Sequence, residues 1–529
     1  MKFQINKTHL YQILFCLFLF LLLLPISSEI NFMQNDDWIH YKQVRSFMQG
    51  DFKLDPYFGP TFYTQGLIGV SFAKIFSVEK LPILTLVISI STLFVFLEIL
   101  TKYFDKSIEE SVFLGLLMFF NPIYLYSIWG FMTEAYFLFF LILSFYLFLK
   151  FNSKKTPKNF SILYLFLWIS LFLKQITLVF PLSLAVYYLI NRKFKLFISN
   201  VVMFLAMLVF YMLYFPQTAA MVNKSFALNH LLEPQYTFSL IWGVLILLTA
   251  LLFPLLLTIF SKKQLLSNKY KLLAFIGLSV VLFLILNANF RPHGVFKGEF
   301  PYFGNVFERT GLYPSGIHGT KYQFKGNYDL YKFWDLGAKV LLTLLVSYWT
   351  VFIRKFNNFF LIFSIIYLGT MVTTFVFYDR YILLLLPAVI IYFAHISKIN
   401  LYFRTILITF TLFLGFYGYQ FTMDFILANS YVWERSVQLV ENEGVVPKRI
   451  HGTNAWKLKH RNLEKDYLYT FSYDNQKINE ELACCYDLID SHEIRYPFSL
   501  FIKPKIYLYK MIKDPKVFLV DTPDYQYKN

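Results

Sequence analysis

Residues 154–195 read KKTPKNFSILYLFLWISLFLKQITLVFPLSLAVYYLINRKFK, and whether this stretch crosses a membrane once or twice decides the topology of everything after it. Lys154, Lys155 and Lys158 stand before its apolar part, and Arg192, Lys193 and Lys195 stand after it. Basic residues in short loops are retained on the cytoplasmic side of a membrane. Both ends therefore belong on that side, and the chain must turn back near Lys174-Gln175. The stretch is read as two short spans, 160–173 and 175–190.

Working outward, apolar runs near the length of about 20 residues that crosses some 30 Å of hydrocarbon recur along the chain. They fall at 10–28, 81–101, 111–129, 133–150, 196–215, 237–260, 271–288, 336–353, 358–377, 381–397 and 401–422. With the two short spans this predicts an α-helical polytopic membrane protein of thirteen transmembrane helices. Every second loop is basic: Lys102 with Lys106, Lys262 and Lys263 with Lys269 and Lys271, Arg354 with Lys355, and Lys398 with Arg404. The N-terminus is thus expected inside and residues 423–529 outside the cytoplasm, as a small α/β domain with helical material near 431–443 and short strand-like runs from Lys505 to Tyr509 and from Val517 to Val520. Lys2 and Lys7 before the run at 10–26 also suit a signal peptide, but Ser27-Ser28-Glu29 lacks a small-x-small cleavage site, so the first helix is expected to be retained.

Composition agrees. Of 529 residues, 57% are hydrophobic and 15% charged, against about a quarter charged in soluble domains. The net charge of +17 comes from the loop clusters, with no basic stretch interleaved with aromatics of the kind that grips nucleic acid. Three cysteines, Cys16 and the adjacent Cys484 and Cys485, make no disulfide framework. No internal repeat is visible.

Two outer loops are long, 29–80 and 289–335, and within the first the segment from Tyr57 to Phe76 reads as a helix lying in the interface. Charges at membrane boundaries are costly and commonly mark function. Here they gather on one side: Asp36 and Asp37 after the first span, Glu134 opening the fourth, Lys174 at the hairpin, and Asp379 and Arg380 opening the twelfth. In Asp36-Asp37-Trp38-Ile39-His40-Tyr41 the two carboxylates diverge by about 100° on a helix, so one can act as a base while the other orients or pairs. Asp37, Tyr41 and Arg45 would share a face, with Asp36 over His40. An aspartate capping an interfacial helix accounts for the same residues, as a helix-start carboxylate does for Glu134. Arg380 suits a phosphate through a charge-assisted fork; an interface arginine neutralised by Asp379 is the plainer account.

Together these residues resemble the GT-C superfamily of membrane glycosyltransferases, in particular bacterial relatives of protein O-mannosyltransferases and of lipid A aminoarabinose transferases. The resemblance rests on Asp36-Asp37 with Tyr41, Asn121-Pro122 followed by Thr133-Glu134, the polar break Lys174-Gln175, and Tyr378-Asp379-Arg380-Tyr381. Tyr431-Val432-Trp433 and His451-Gly452-Thr453-Asn454-Ala455-Trp456 fall where such enzymes have an outer domain. It implies transfer of a sugar from a polyprenyl-phosphate donor to a glycan, lipid or protein hydroxyl at the extracytoplasmic face of the cell membrane, with inversion. It further implies catalysis by Asp36 with Asp37 supporting, the two being exchangeable at this stage, and substrate binding by Tyr41, Glu134, Lys174, Gln175, Asp379, Arg380 and Tyr381. No cofactor is required by the pattern; a divalent ion on Asp36, Asp37 and Glu134 is compatible with it but no ligand spacing calls for one. His293, Lys297, Glu299, Glu308, Arg309 and His318 of the long loop are unranked lid candidates.

A transporter or lipid flippase would also have many spans, but is expected to show related halves and midplane charges. An envelope polysaccharide polymerase or ligase accounts for the long outer loop but not for Asp36-Asp37. The topology itself is testable: Lys155→Cys and Lys193→Cys should react with an impermeant thiol reagent only from the cytoplasmic side, and Gln175→Cys only from the other. Labelling of Lys155→Cys and Lys193→Cys from opposite sides would remove the hairpin.

Overall fold

The computed structural model describes residues 7–55, 58, 62–214, 232–290, 299–312, 316–319, 327–353, 357–374, 377–397, 401–460, 467–473, 486–500 and 504–512. Its helices are α1 (Lys7–Ser28), α2 (Asp37–Met48), α3 (Tyr63–Phe76), α4 (Leu81–Tyr103), α5 (Ile108–Phe119), α6 (Pro122–Ile128), α7 (Thr133–Ser153), α8 (Pro157–Leu171), α9 (Val179–Ile190), α10 (Phe194–Tyr214), α11 (Pro234–Leu257), α12 (Lys262–Leu265), α13 (Lys269–Asn289), α14 (Asn327–Tyr348), α15 (Phe359–Val372), α16 (Leu386–Ile396), α17 (Leu401–Glu443) and α18 (Asn454–His460). Among the described residues, nine helical segments are long and apolar enough to cross a membrane, or ten if α5 and α6, bent by 75°, form one span. Thirteen crossings are therefore not all matched by full-length helices. The expected spans at 160–173, 175–190 and 358–377 correspond to α8, α9 and α15, the longest of which has 15 residues, about 22 Å of helix.

The turn at Lys174 can be followed through ring contacts on α7. Phe160 of α8 meets Phe151, and Phe166 meets Phe140, so α8 runs antiparallel to α7. Phe180 of α9 meets Phe145 and Tyr187 meets Phe148, so α9 runs parallel to it. Between them Lys174 has extended backbone and Gln175–Leu178 form a 3-10 turn. The chain reverses there, as the flanking lysines predict.

One end of the bundle collects the start of α4, where Lys80 Nζ bonds the carbonyl of Ser28 at 3.3 Å, and the start of α7, where Tyr136 and Thr85 hydroxyls meet at 3.1 Å. The Lys174 turn lies at that end too, as does Tyr381, whose carbonyl accepts from Tyr367 Oη at 3.0 Å. Basic side chains mark the other end: Lys102 bonds Tyr146, Lys106 bonds the carbonyl of Ser397, and Arg404 pairs with Glu109.

α3 covers the C-terminal part of the interfacial segment. Its small residues face the protein: a Cβ on Gly69 would lie 2.8 Å from Phe131 and 3.0 Å from Val44. Leu67 and Ile75 are exposed on the opposite side, the surface an interfacial helix presents to lipid.

The helix expected at 431–443 is the end of α17, which runs unbroken through the boundary expected at 422. Beyond it, β3 (Ile450–His451), β4 (Tyr469–Ser472), β5 (Tyr486–Glu493) and β6 (Lys505–Met511) form one sheet in the order β3-β4-β6-β5, with only β3 and β4 parallel. A two-strand ribbon, Phe307–Glu308 with Gly311–Leu312, lies in the long loop. That loop joins the sheet, since His318 N donates to Phe471 O at 3.1 Å and Tyr473 N to His318 O at 3.0 Å. Residues 517–520, expected as a strand, and Cys484 and Cys485 lie outside the described residues, as do Arg354, Lys355 and Lys398.

Candidate functional site

The two adjacent aspartates between α1 and α3 do different things. Asp37, 1% exposed, accepts from Phe131 N at 3.0 and 3.1 Å and from Gln34 N at 3.2 Å. Gln34 itself donates to the carbonyl of Tyr126 at 2.7 Å. The approach is so close that a Cβ on Gly130 would lie 2.2 Å from Gln34 Oε1 and 2.5 Å from Asp37 Oδ2; only glycine fits. Burial pushes the Asp37 carboxyl above its ordinary range, opposed by His40 and the backbone N–H groups. His40 lies 3.7 Å from Asp37, its ring stacked on Phe62. Asp37 thus ties the first outer loop to the loop between α6 and α7.

Asp36 occupies the position before α2 but its side chain makes no capping bond. It lies over His40 at helical spacing, its backbone carbonyl accepting from His40 N at 3.3 Å, and its carboxylate faces Arg380, with Oδ2 3.7 Å from Nη1. Arg380 continues to Glu134, Nε to Oε1 at 3.4 Å, and Glu134 Oε1 accepts from Lys174 Nζ at 3.0 Å. Two carboxylates and two cations from four separate segments therefore form one chain, Asp36–Arg380–Glu134–Lys174. Aromatic faces back both cations: Arg380 sits 4.7 Å from the Tyr378 ring centroid and Lys174 5.1 Å from that of Tyr381. Among the described residues the buried hydroxyl of Tyr126 has no hydrogen-bond partner; it interacts electrostatically with Arg380, Asp36, Asp37 and Glu134.

Asp379 is not the counter-ion of Arg380. Its carboxylate turns the other way, accepting from Val306 N at 3.0 and 2.9 Å and from Phe307 N at 2.9 Å. It fastens the long outer loop to the start of the 3-10 turn Asp379–Leu384.

Of the residues expected from sequence to bind substrate, Glu134, Lys174, Arg380 and Tyr381 come together with Asp36. Tyr41 is buried against Phe131, behind Asp37, and does not join the ion chain; burial raises its phenol well above the ordinary value. Arg45 pairs with Glu79 instead of sharing a site with Asp37. Gln175 opens the 3-10 turn, and among the described residues no side-chain hydrogen bond joins it to the cluster. In the long loop Arg309 pairs with Glu299 at 2.5 Å and bonds the carbonyl of Phe300, while His293 and Lys297 lie outside the described residues. Gln34, Tyr126 and Gly130 were not singled out by the sequence. A glycine between Trp129 and Phe131 just before Thr133-Glu134 is the one signal that pointed there.

Among the described residues no group of three or more His, Cys, Asp or Glu side chains is placed to hold a metal ion. Arg380 carries the positive charge between Asp36 and Glu134. Comparison of the chain with family models, with curated proteins and with solved structures gave no match.

The division of labour between the aspartates predicts different phenotypes. Asp37→Ala leaves backbone N–H groups of Phe131 and Gln34 unpaired and should cost about 2 to 3 kcal/mol, read as a lowered thermal-unfolding midpoint in detergent. Gly130→Ala should behave likewise. Asp36→Ala takes one of two carboxylates from Arg380 but strands no backbone N–H group, and should lower the midpoint by less; a fall as large as that of Asp37→Ala would contradict the assignment.

Proposed function

We propose that this chain is a membrane-embedded glycosyltransferase of GT-C type, taking a sugar from a polyprenyl-phosphate carrier and passing it to an acceptor hydroxyl on the extracytoplasmic side of the cell membrane. The observation that carries the reading is the state of the ion chain. Arg380 Nε and Glu134 Oε2 are buried, and among the described residues neither has a hydrogen-bond partner. Buried polar groups are nearly always bonded, so a charged pair left short of partners at the boundary of an apolar bundle is well suited to a polar ligand that arrives from the lipid.

A sugar phosphate on a polyprenyl chain is such a ligand. Its tail stays in the bilayer, its phosphate meets Arg380 and Lys174, and its anomeric carbon is presented toward Asp36. Asp36 is the more exposed of the two aspartates, with its side chain at 21% against 1% for Asp37. In a single displacement it takes the proton of the acceptor hydroxyl as that oxygen attacks the anomeric carbon from the face opposite the phosphate. The bond from the anomeric carbon to the phosphate oxygen breaks, its electron pair leaves with polyprenyl phosphate, and the configuration inverts. Arg380 and Lys174 stabilise the charge that grows on the leaving phosphate. Glu134 holds both cations in place, and Asp37 and Asp379 brace the loops that carry them. The basic ends of the spans, gathered away from this cluster, support placing it on the extracytoplasmic side.

Membranes containing the Asp36→Asn variant, supplied with polyprenyl-phosphate sugar, should transfer roughly a hundred- to ten-thousand-fold more slowly than the parent. Arg380→Lys should also lose activity, since a point charge does not replace the fork. Undiminished transfer by Asp36→Asn would remove the proposed base.

A further inference from the structure

β5 and β6 form an antiparallel hairpin whose ends close where Ile494 N donates to Pro504 O at 2.7 Å. The connection beyond Ile494 does not stay with the sheet. It reaches back to α17 and is fastened there at the edge of that helix's apolar stretch: Gln420 Nε2 donates to Phe498 O at 2.9 Å, Leu500 N to Gln420 Oε1 at 3.0 Å, and Tyr496 Oη to Gln420 O at 3.2 Å. Tyr419 Oη adds a bond to Pro497 O at 3.1 Å. These bonds bury Gln420 completely.

The level of this attachment is fixed by its neighbours on α17. Tyr417 Oη bonds Tyr331 Oη near the beginning of the apolar run of α14. Leu412 and Phe416, spaced four residues apart and in line with Gln420 on one helix face, are 61% and 43% exposed. Side chains on that stripe face lipid. Directly above it stand Phe498, 80% exposed, and Leu500, 46% exposed. Phe498 has φ +60°, a left-handed conformation that an aromatic residue adopts at a cost. A soluble turn would place glycine or asparagine there.

We propose that the turn Pro497–Leu500 is a lipid-inserted foot, by which the C-terminal sheet stands on the bilayer beside α17. The partner is the interfacial zone of the membrane, reached as an upward continuation of the lipid-facing stripe Leu412–Phe416. Phe498 and Leu500 enter the boundary between head groups and acyl chains, where burial of apolar area drives binding. Gln420 spends its amide on the turn's backbone, which otherwise would enter that zone with unpaired polar groups. The sheet that bonds the long outer loop at His318 is then held at a constant height above the membrane.

The test uses the full chain in liposomes, with its three cysteines replaced by alanine and one cysteine at a time introduced and spin-labelled at Phe498, Leu500, Leu412 and Leu488. Leu488 is an exposed residue of β5 and serves as the aqueous reference. Labels at Phe498 and at Leu500 should collide more with dissolved oxygen than with a water-soluble nickel chelate, as at Leu412, and the label at Leu488 should show the reverse. Two independent positions keep the test usable if one variant folds poorly. Chelate accessibility at both positions equal to that at Leu488 would overturn the proposal, and would leave the glycosyltransferase reading untouched.

Discussion

A guanidinium removed from water needs counter-charge, and most of this structure is arranged around supplying it to Arg380. Asp36 comes from the first outer loop, Glu134 from the start of α7, and Lys174 from the turn between α8 and α9. No two of these segments are neighbours in sequence. The desolvation of such charges is repaid only when several partners converge with good geometry, so the bundle must hold four helix ends in register. The helices do this with aromatic packing, as along α7, where Phe145 and Phe148 meet rings from both α9 and α15.

Two neighbouring members of the ion chain, Asp36 and Arg380, are each carried by a dipeptide with a shared logic. In Asp36-Asp37 and in Asp379-Arg380 one side chain turns inward to hold backbone N–H groups of another loop, and the other faces the cluster. Adjacent residues at the start of a helical turn point about 100° apart, so a pair of neighbours can do both tasks where one residue cannot. The inward aspartates bind different loops, at Phe131 and at Val306 with Phe307. Through them the loops at Asp36, Phe131 and Val306 are tied together, and the C-terminal region is added by Asn454 at the start of α18, which bonds Asn35 immediately before Asp36.

Much of this was legible in the sequence, for a physical reason. Charges are excluded from hydrocarbon, so the basic residues on both sides of residues 160–190 dictated a reversal that the ring contacts reproduce, and the boundary charges pointed to residues that do meet. What was not legible depended on side-chain direction. Two adjacent aspartates look exchangeable in a sequence; their roles separate only when Gly130 is seen to admit one of them against the backbone. Asp379 read as the natural partner of Arg380, its neighbour, yet it is spent on a distant loop. Hydropathy ended a span near residue 422 because the composition changes there, whereas the helix has no reason to stop and continues to Glu443. Span length was misjudged at α15, which ends at Val372 where the apolar run was expected to continue to residue 377, whereas the pieces at 160–173 and 175–190 are as short as they were read.

The central claim is that this cluster moves a sugar from a lipid carrier to an acceptor. The most direct measurement compares, by mass spectrometry, the glycolipids and glycoproteins of cells expressing the parent chain, no chain, or Asp36→Asn. The account predicts a glycosyl mass increment on one acceptor class that is present with the parent chain and absent in the other two. Identical profiles in all three, under conditions where the protein is present in the membrane, would contradict it.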